Sequence, residues 1–272
     1  YNVCNLLLQQ QYDSKVGGYR KALIFDGFQD EAGIASLSSG FAWYSPQPSL
    51  LLDTVGQSEA SYAYGTGYSF TLSKGQFAST DWTATGNGTI TTASMYIQGK
   101  VDVSLWSGQT MLKKVTVTST KMPFSFSFPV TIRGGQDYTF RLDNPYDGTV
   151  TFARTRDYDT GFAFKLTMTP VKSNTGTLVS TPYTLDFSAA RAVGWVRHSG
   201  GTAQLALRQN SGSWKAMTAS GTRSTLNLYG DTCTESAFAL DSTMSGAQDV
   251  RVILQTTAGK NVHLFDYGVV FL

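Results

Sequence analysis

The chain has 272 residues and a formal charge of +2, and only 15% of its residues are charged, against roughly 25% in an average globular protein. That excludes a clustered basic stripe for nucleic acid, and 13% aromatic residues exclude a disordered chain. No apolar run approaches the ~18 residues of a membrane span, and the length suits one large domain or two ordinary ones.

The first stretch, "YNVCNLLLQQQYDSKVGGY", places Val3, Leu6, Leu7 and Gln10 at helical spacing, with Gly17 and Gly18 as a stop. It predicts a short N-terminal helix and connector over 1–26, which either lies on the following domain or ends a coiled coil joining several chains. Tyr1 opens without the charged and apolar regions of a signal peptide, and the missing initiator Met reads as a fragment of a longer chain. Cys4 and Cys233, almost a whole chain apart, read as free thiols.

After Gly33 the pattern changes to period two. In "KVDVSLWSGQTMLKKVTVTST", Val101, Val103 and Leu105 share one face, Asp102, Ser104 and Trp106 the other, and Ser107–Gly108 reverses the chain. Lys113 and Lys114 fall on a solvated face. Phe124, Phe126 and Phe128 alternate with Ser125 and Ser127, and Phe140 and Leu142 form an inward pair from which Tyr138 is set apart. The Pro- and Gly-bearing "TPVKSNTGTL" (169–178) is the expected domain boundary. Beyond it a second alternating set runs to an apolar final strand, expected to be central with its end tied down. The predicted fold is all-β: two tandem antiparallel β-sandwich, jelly-roll-like domains, 27–170 and 171–272, after the helix.

Few residues suit catalysis. The two histidines, His198 at a strand end and His263 facing outward, accompany no G-x-S-x-G elbow. The three glutamates, Glu31, Glu59 and Glu235, nominate no carboxylate pair for glycoside hydrolysis. Asp143, Asn144, Asp147, Asp157 and Asp159 are loop oxygens of the kind calcium takes, although a D-x-D-x-D-G loop is missing and Arg154 and Arg156 offer the aspartates another partner. Asn87 heads an N-G-T sequon, with nothing else to support a eukaryotic secretory setting.

The aromatics divide into two groups. Phe124, Phe126, Phe128, Phe140 and Trp195 fit alternating apolar faces and are assigned to core. Trp43 and Tyr44 in "FAWYSPQPS", Tyr62, Tyr64 and Tyr68 in "SYAYGTGYSF", and Trp82 in "DWTATGNG" are interleaved with Gly, Pro, Ser and Thr. Rings on such loops and edge strands, with short polar neighbours, suit stacking against a sugar, so these six are the expected ligand-binding residues of the first domain.

The segments "TGTLVSTPYTLDF", "VGWVRHSGGTAQLALRQNSGSWKAM" and "VRVILQTTAGKNVHLFDYGVVFL" resemble a module of bacteriophage tail-fibre and receptor-binding proteins. The course "VDVSLWSG" to "SFSFPVTIRGGQDYTFRL" is similar to carbohydrate-binding-module sandwiches, and "YNVCNLLLQQQYDSKV" resembles connectors of trimeric fibres. The resemblance covers most of the chain and carries over no functional residue. It implies a virion component exposed to the extracellular medium, a homotrimer that contacts other virion tail proteins and binds a bacterial cell-surface glycan. The β-helix repeats and acidic clusters of depolymerase tailspikes are missing, so a non-enzymatic role without a cofactor is expected, with neither nucleic-acid binding nor membrane insertion. The alternatives are a structural baseplate or capsid-decoration protein and the binding-module fragment of a secreted bacterial glycosidase.

Overall fold

The computed structural model describes residues 22–44, 46–62, 68–154, 161–257 and 259–272. The expected helix, Cys4, Tyr64, Asp157 and Asp159 lie outside them. The described residues hold strands and turns and no helix. The chain divides into two compact units, one of residues 55–172 and the other of the segments on either side. Residues 27–54, expected with the middle segment, belong instead with the closing one. Their strands β1 (Ala22–Asp26), β2 (Ile34–Leu37), β3 (Phe41–Tyr44) and β4 (Ser49–Leu52) join the same sheet as the C-terminal strands.

In the middle unit, β5 (Glu59–Tyr62), β6 (Tyr68–Leu72), β7 (Phe77–Thr83), β8 (Gly88–Met95) and β9 (Ile97–Ser107) are followed by β10 (Thr110–Ser119), β11 (Phe124–Ile132), β12 (Asp137–Asp143), β13 (Val150–Arg154) and β14 (Phe164–Pro170). One sheet runs β6-β13-β9-β12-β7 with β10 on β9, and the other runs β11-β8-β14-β5. Alternation decides which side of each strand is buried. Phe128 of β11, Phe140 of β12 and Phe164 of β14 are fully enclosed, with ring centroids 5.6 Å apart for the first pair and 4.9 Å for the second, so both sheets contribute to one core. Pro129 sits where the β11–β8 register shifts, a place that tolerates a missing N–H donor. Two local expectations change. Tyr138 is buried with Phe140 and Leu142, because its hydroxyl accepts the Arg133 N–H at 2.8 Å. The β9–β10 turn is Gly108–Gln109, one residue later than expected, with Gly108 at φ +53°.

Polar residues of this unit are buried as well. Asp102 accepts from the Thr116 and Tyr146 hydroxyls at 2.6 and 2.8 Å and pairs with Lys114 at 2.7 Å. Burial pulls its carboxyl upward, but these donors outweigh that and hold it below the ordinary value. Asn87 is buried too: its side-chain oxygen accepts the Gly134 N–H, and its backbone carbonyl takes the N–H groups of Gln57 and Val171. The sequon asparagine is therefore a fastener between loops.

The flanking unit continues with β15 (Thr175–Ser180), β16 (Tyr183–His198), β17 (Thr202–Gln209), β18 (Lys215–Ala216), β19 (Thr218–Leu226), β20 (Thr232–Gln255) and β21 (Val262–Phe271). A single sheet, β18-β17-β20-β16-β21-β4-β3, carries β1, β2, β15 and β19 as side pairings. It curls because β16 and β20 are long and change partners along their length. The first half of β20 pairs with β19 and the end of β16, and the second half with β17, β15 and the start of β16. At the changeover the β16–β20 register shifts and Gly246 takes φ +67°, where a Cβ would meet the Asn210 side chain. The curled sheet closes over Phe41, Leu50, Val196, Phe238, Val252 and Phe271. As expected, β21 is central, lying beside β16, β1 and β4, and the Leu272 carbonyl accepts the N–H groups of Ala190 and Arg191.

Trp195 does not join that core. Its ring lies on the opposite face of β16, over Gly268, where any Cβ would fall 2.3 Å from the indole. Phe25 packs alongside at 6.2 Å. Period two gives a strand two sides without saying which one faces the main core, and here Val193 and Trp195 make part of the outer side apolar too.

Candidate functional site

Three of the six expected sugar-stacking rings are described in the middle unit. Tyr62 ends β5 and Trp82 lies near the end of β7, both on the inward side of their strands. They meet on a shared neighbour. The Phe164 ring is 6.1 Å from Tyr62, nearly parallel, and 6.1 Å from Trp82, edge-on, while Tyr138 packs on Trp82 at 5.6 Å. Gly161 fits closely against Tyr62 and Thr80, where a Cβ would lie 3.1 Å from the tyrosine ring and 3.0 Å from the threonine hydroxyl. Both rings remain half-buried, so they finish the core and also show at its end. Tyr68 opens β6 opposite Arg154 of β13 and is 56% exposed.

Trp43 and Tyr44 belong to the other unit. As successive residues of β3 they point to opposite faces: Trp43 packs against the core, and Tyr44 is exposed and meets the His263 ring at a steep angle, the ring centres 4.7 Å apart. His263 is half-buried, with Nδ1 3.1 Å from the Ser49 hydroxyl.

Asp143 and Asp147 of the expected calcium site find cations of the chain itself. Asp143 is held by Arg141 through Nε at 2.8 Å and Nη2 at 2.6 Å, and Asp147 meets Lys74 at 2.9 Å. Among the described residues no group of three His, Cys, Asp or Glu side chains is placed to hold a metal.

The flanking unit contains two polar arrangements that the sequence reading missed. His198 Nδ1 lies 2.7 Å from the Gly200 carbonyl and must donate to it, so Nε2, 2.9 Å from the Ser236 hydroxyl, accepts. This is the polarity of a serine–histidine pair, with a carbonyl where catalysis uses a carboxylate. His198 is 1% exposed and Ser236 is also buried, so the pair serves as a core hydrogen bond. Burial pushes the His198 imidazole below its ordinary value. The unfolded chain then binds the extra proton more readily, and stability falls as pH drops below about 6.5. His263 is lowered by burial as well. In urea titrations at pH 7 and pH 5, His198→Gln should therefore lose part of the wild-type acid sensitivity and retain the rest; an identical pH difference in both proteins would refute the assignment.

The second arrangement lies on the opposite face. Arg197 Nε meets Glu235 at 3.0 Å and Nη1 meets Asp266 at 3.5 Å, Arg223 adds Nε to Glu235 at 2.8 Å, and the Trp195 indole N–H donates to Asp266 at 3.0 Å. Burial raises the Asp266 carboxyl above its ordinary value, an effect that Arg197 and Trp195 oppose. Glu235 and Asp266 are thus bound to arginines in a closed network. Cys233 is a buried free thiol, raised by burial.

No protein-family model matches the chain, and no curated protein matches it in sequence. Among solved structures, the tandem CBM22 domains of Paenibacillus barcinonensis Xyn10C overlay 90% of this chain and 99% of their own at 8% identity and a TM-score of 0.26. The PBSX exported protein XepA overlays 80% and 94%, at 9% identity and a TM-score of 0.24. Infectious bursal disease virus VP2 overlays 79% at 11% identity and a TM-score of 0.20, and this chain spans only 41% of it. Scores this low assign the chain to none of them.

Proposed function

We propose that the chain is a non-enzymatic receptor-binding part of a bacteriophage tail, built of two β-sandwich-like units and recognising a bacterial surface carbohydrate. The observation behind this reading is the convergence of Tyr62 and Trp82 on Phe164 at one end of the middle unit, half-open to solvent. Rings fixed on strand ends offer flat faces to sugar C–H groups, and the Thr and Ser side chains around them suit hydroxyls. Single sites of this kind bind weakly, and a homotrimer carried in several copies on a virion raises avidity through effective concentration.

Glycan-array binding by wild type, Tyr68→Ala and Trp82→Phe tests it. Tyr68 is exposed, so its removal should leave the melting temperature unchanged while the array signal falls several-fold. Trp82→Phe keeps an inward ring and should reduce the signal further. Undiminished binding by both variants would end the site assignment.

A second reading, a structural virion protein, draws support from β19. Its nine residues are exposed almost throughout, among the described residues it pairs with β20 alone, and Leu226, Leu228 and Tyr229 stand open beside it. An unpaired strand edge is a template for another chain. Light scattering showing assembly that Leu226→Lys abolishes, with no glycan bound, would favour this reading.

A further inference from the structure

The hairpin after β17 gathers three side chains on one face of the flanking unit. Asn210 and Ser211 take φ of 48° and 59°, and the Gly212 N–H closes on the Gln209 carbonyl at 2.8 Å. This tight reversal returns Trp214 over the sheet. The Arg208 guanidinium carbon lies 4.7 Å from the Trp214 ring centre and that of Arg251 lies 4.6 Å away, both within cation–π range.

The two cations differ in their remaining partners. Arg208 Nε donates to Asp249 at 2.7 Å. Arg251 pairs with no carboxylate among the described residues, and its buried Nε–H lacks an acceptor. A buried donor left unmade is costly, and more so on a charged group. Beside Arg251 opens a concavity of about 200 Å³, lined also by Gln204, Ala216, Met217, Phe238 and Ile253. β18, whose Ala216 lines it, is two residues long and pairs with Ala206 and Leu207.

The geometry points to a binding site for a small monocarboxylate with a partly apolar body, seated on Arg251 and independent of the aromatic end of the other unit. Arg208 and Asp249 cancel, so Arg251 supplies one net positive charge and calls for one negative charge. A guanidinium presents its N–H groups in the fork that a carboxylate matches. Ile253, Met217 and Phe238 offer apolar wall, and the Gln204 amide is there for a hydroxyl. The space is below the ~300 Å³ where ligand pockets usually begin, which limits the occupant to one sugar ring or a short acid.

Calorimetric titration of the intact chain with glucuronate, glucose and butyrate tests the site. Glucuronate is expected to bind and glucose not. Arg251→Met, which keeps the apolar stem without the charge, should weaken binding at least about tenfold at an unchanged melting temperature. Ala216→Trp, filling the concavity from an exposed position, should abolish binding even if the arginine variant does not fold. Glucuronate binding alone assigns the site to an acidic sugar residue, and equal binding of butyrate assigns it to free short acids. Trp82→Phe should leave either result unchanged, which separates this site from the carbohydrate reading. No binding of either acid, or binding that survives the substitutions, overturns the proposal.

Discussion

Arg197→Met is expected to cost about 3–5 kcal/mol of folding stability at neutral pH, the usual penalty for leaving a buried charge without its partner. Glu235 would keep Arg223, whereas Asp266, fully enclosed, would keep only the Trp195 N–H. The deficit should shrink in acid. The Asp266 carboxyl is already raised by burial, and losing Arg197 raises it further. Between its ordinary and raised values the folded chain holds the extra proton, so stability falls as pH rises through that window. Urea midpoints of Arg197→Met and of the double variant with Asp266→Leu check this, the second change recovering much of the loss. A cost under about 1 kcal/mol for Arg197→Met would mean that the network holds no buried charge in balance.

Phe164→Ala should cost about 3–5 kcal/mol, because the ring is fully enclosed and its removal leaves a cavity between the two sheets. It touches Phe140, Tyr62 and Trp82 together, so more than stability is at stake. Tyr62 and Trp82 would lose the surface that fixes their orientation, the near-ultraviolet circular dichroism of the folded variant would weaken, and glycan binding would fall with it. Phe164→Leu, keeping most of the volume, should lose less of each. A cavity variant that binds as wild type would mean that the two rings do not recognise the sugar.

Much of this fold was legible in the chain. The alternation of Phe124, Phe126 and Phe128 with serines placed the right side inward, and Gly108 marked a real turn. The pairing of residues 22–52 with the last strands was not, because period two names a strand and never its partner. Nor were the long strands β16 and β20 legible in length, since their pairings shift midway at Gly246 and Leu185. Trp195 was misplaced for a related reason, as alternation does not say which side of β16 faces the core. Of the candidate site, the rings Tyr62 and Trp82 could be named from composition, and their meeting on Phe164 could not. His198 and Ser236 lie 38 residues apart, and Arg251 reaches Trp214 only after the Asn210–Ser211 reversal.

The strand pairing of β21 with both β1 and β4 also sets an order of events during synthesis. Strands β1 and β4 leave the ribosome well before β21, with which they pair. The 55–172 stretch has every strand partner it needs by residue 170 and is free to close while the rest is still being translated. β1 and β4 meanwhile wait with an open edge, at risk of pairing with another nascent chain, until the ten-residue β21 arrives to claim them.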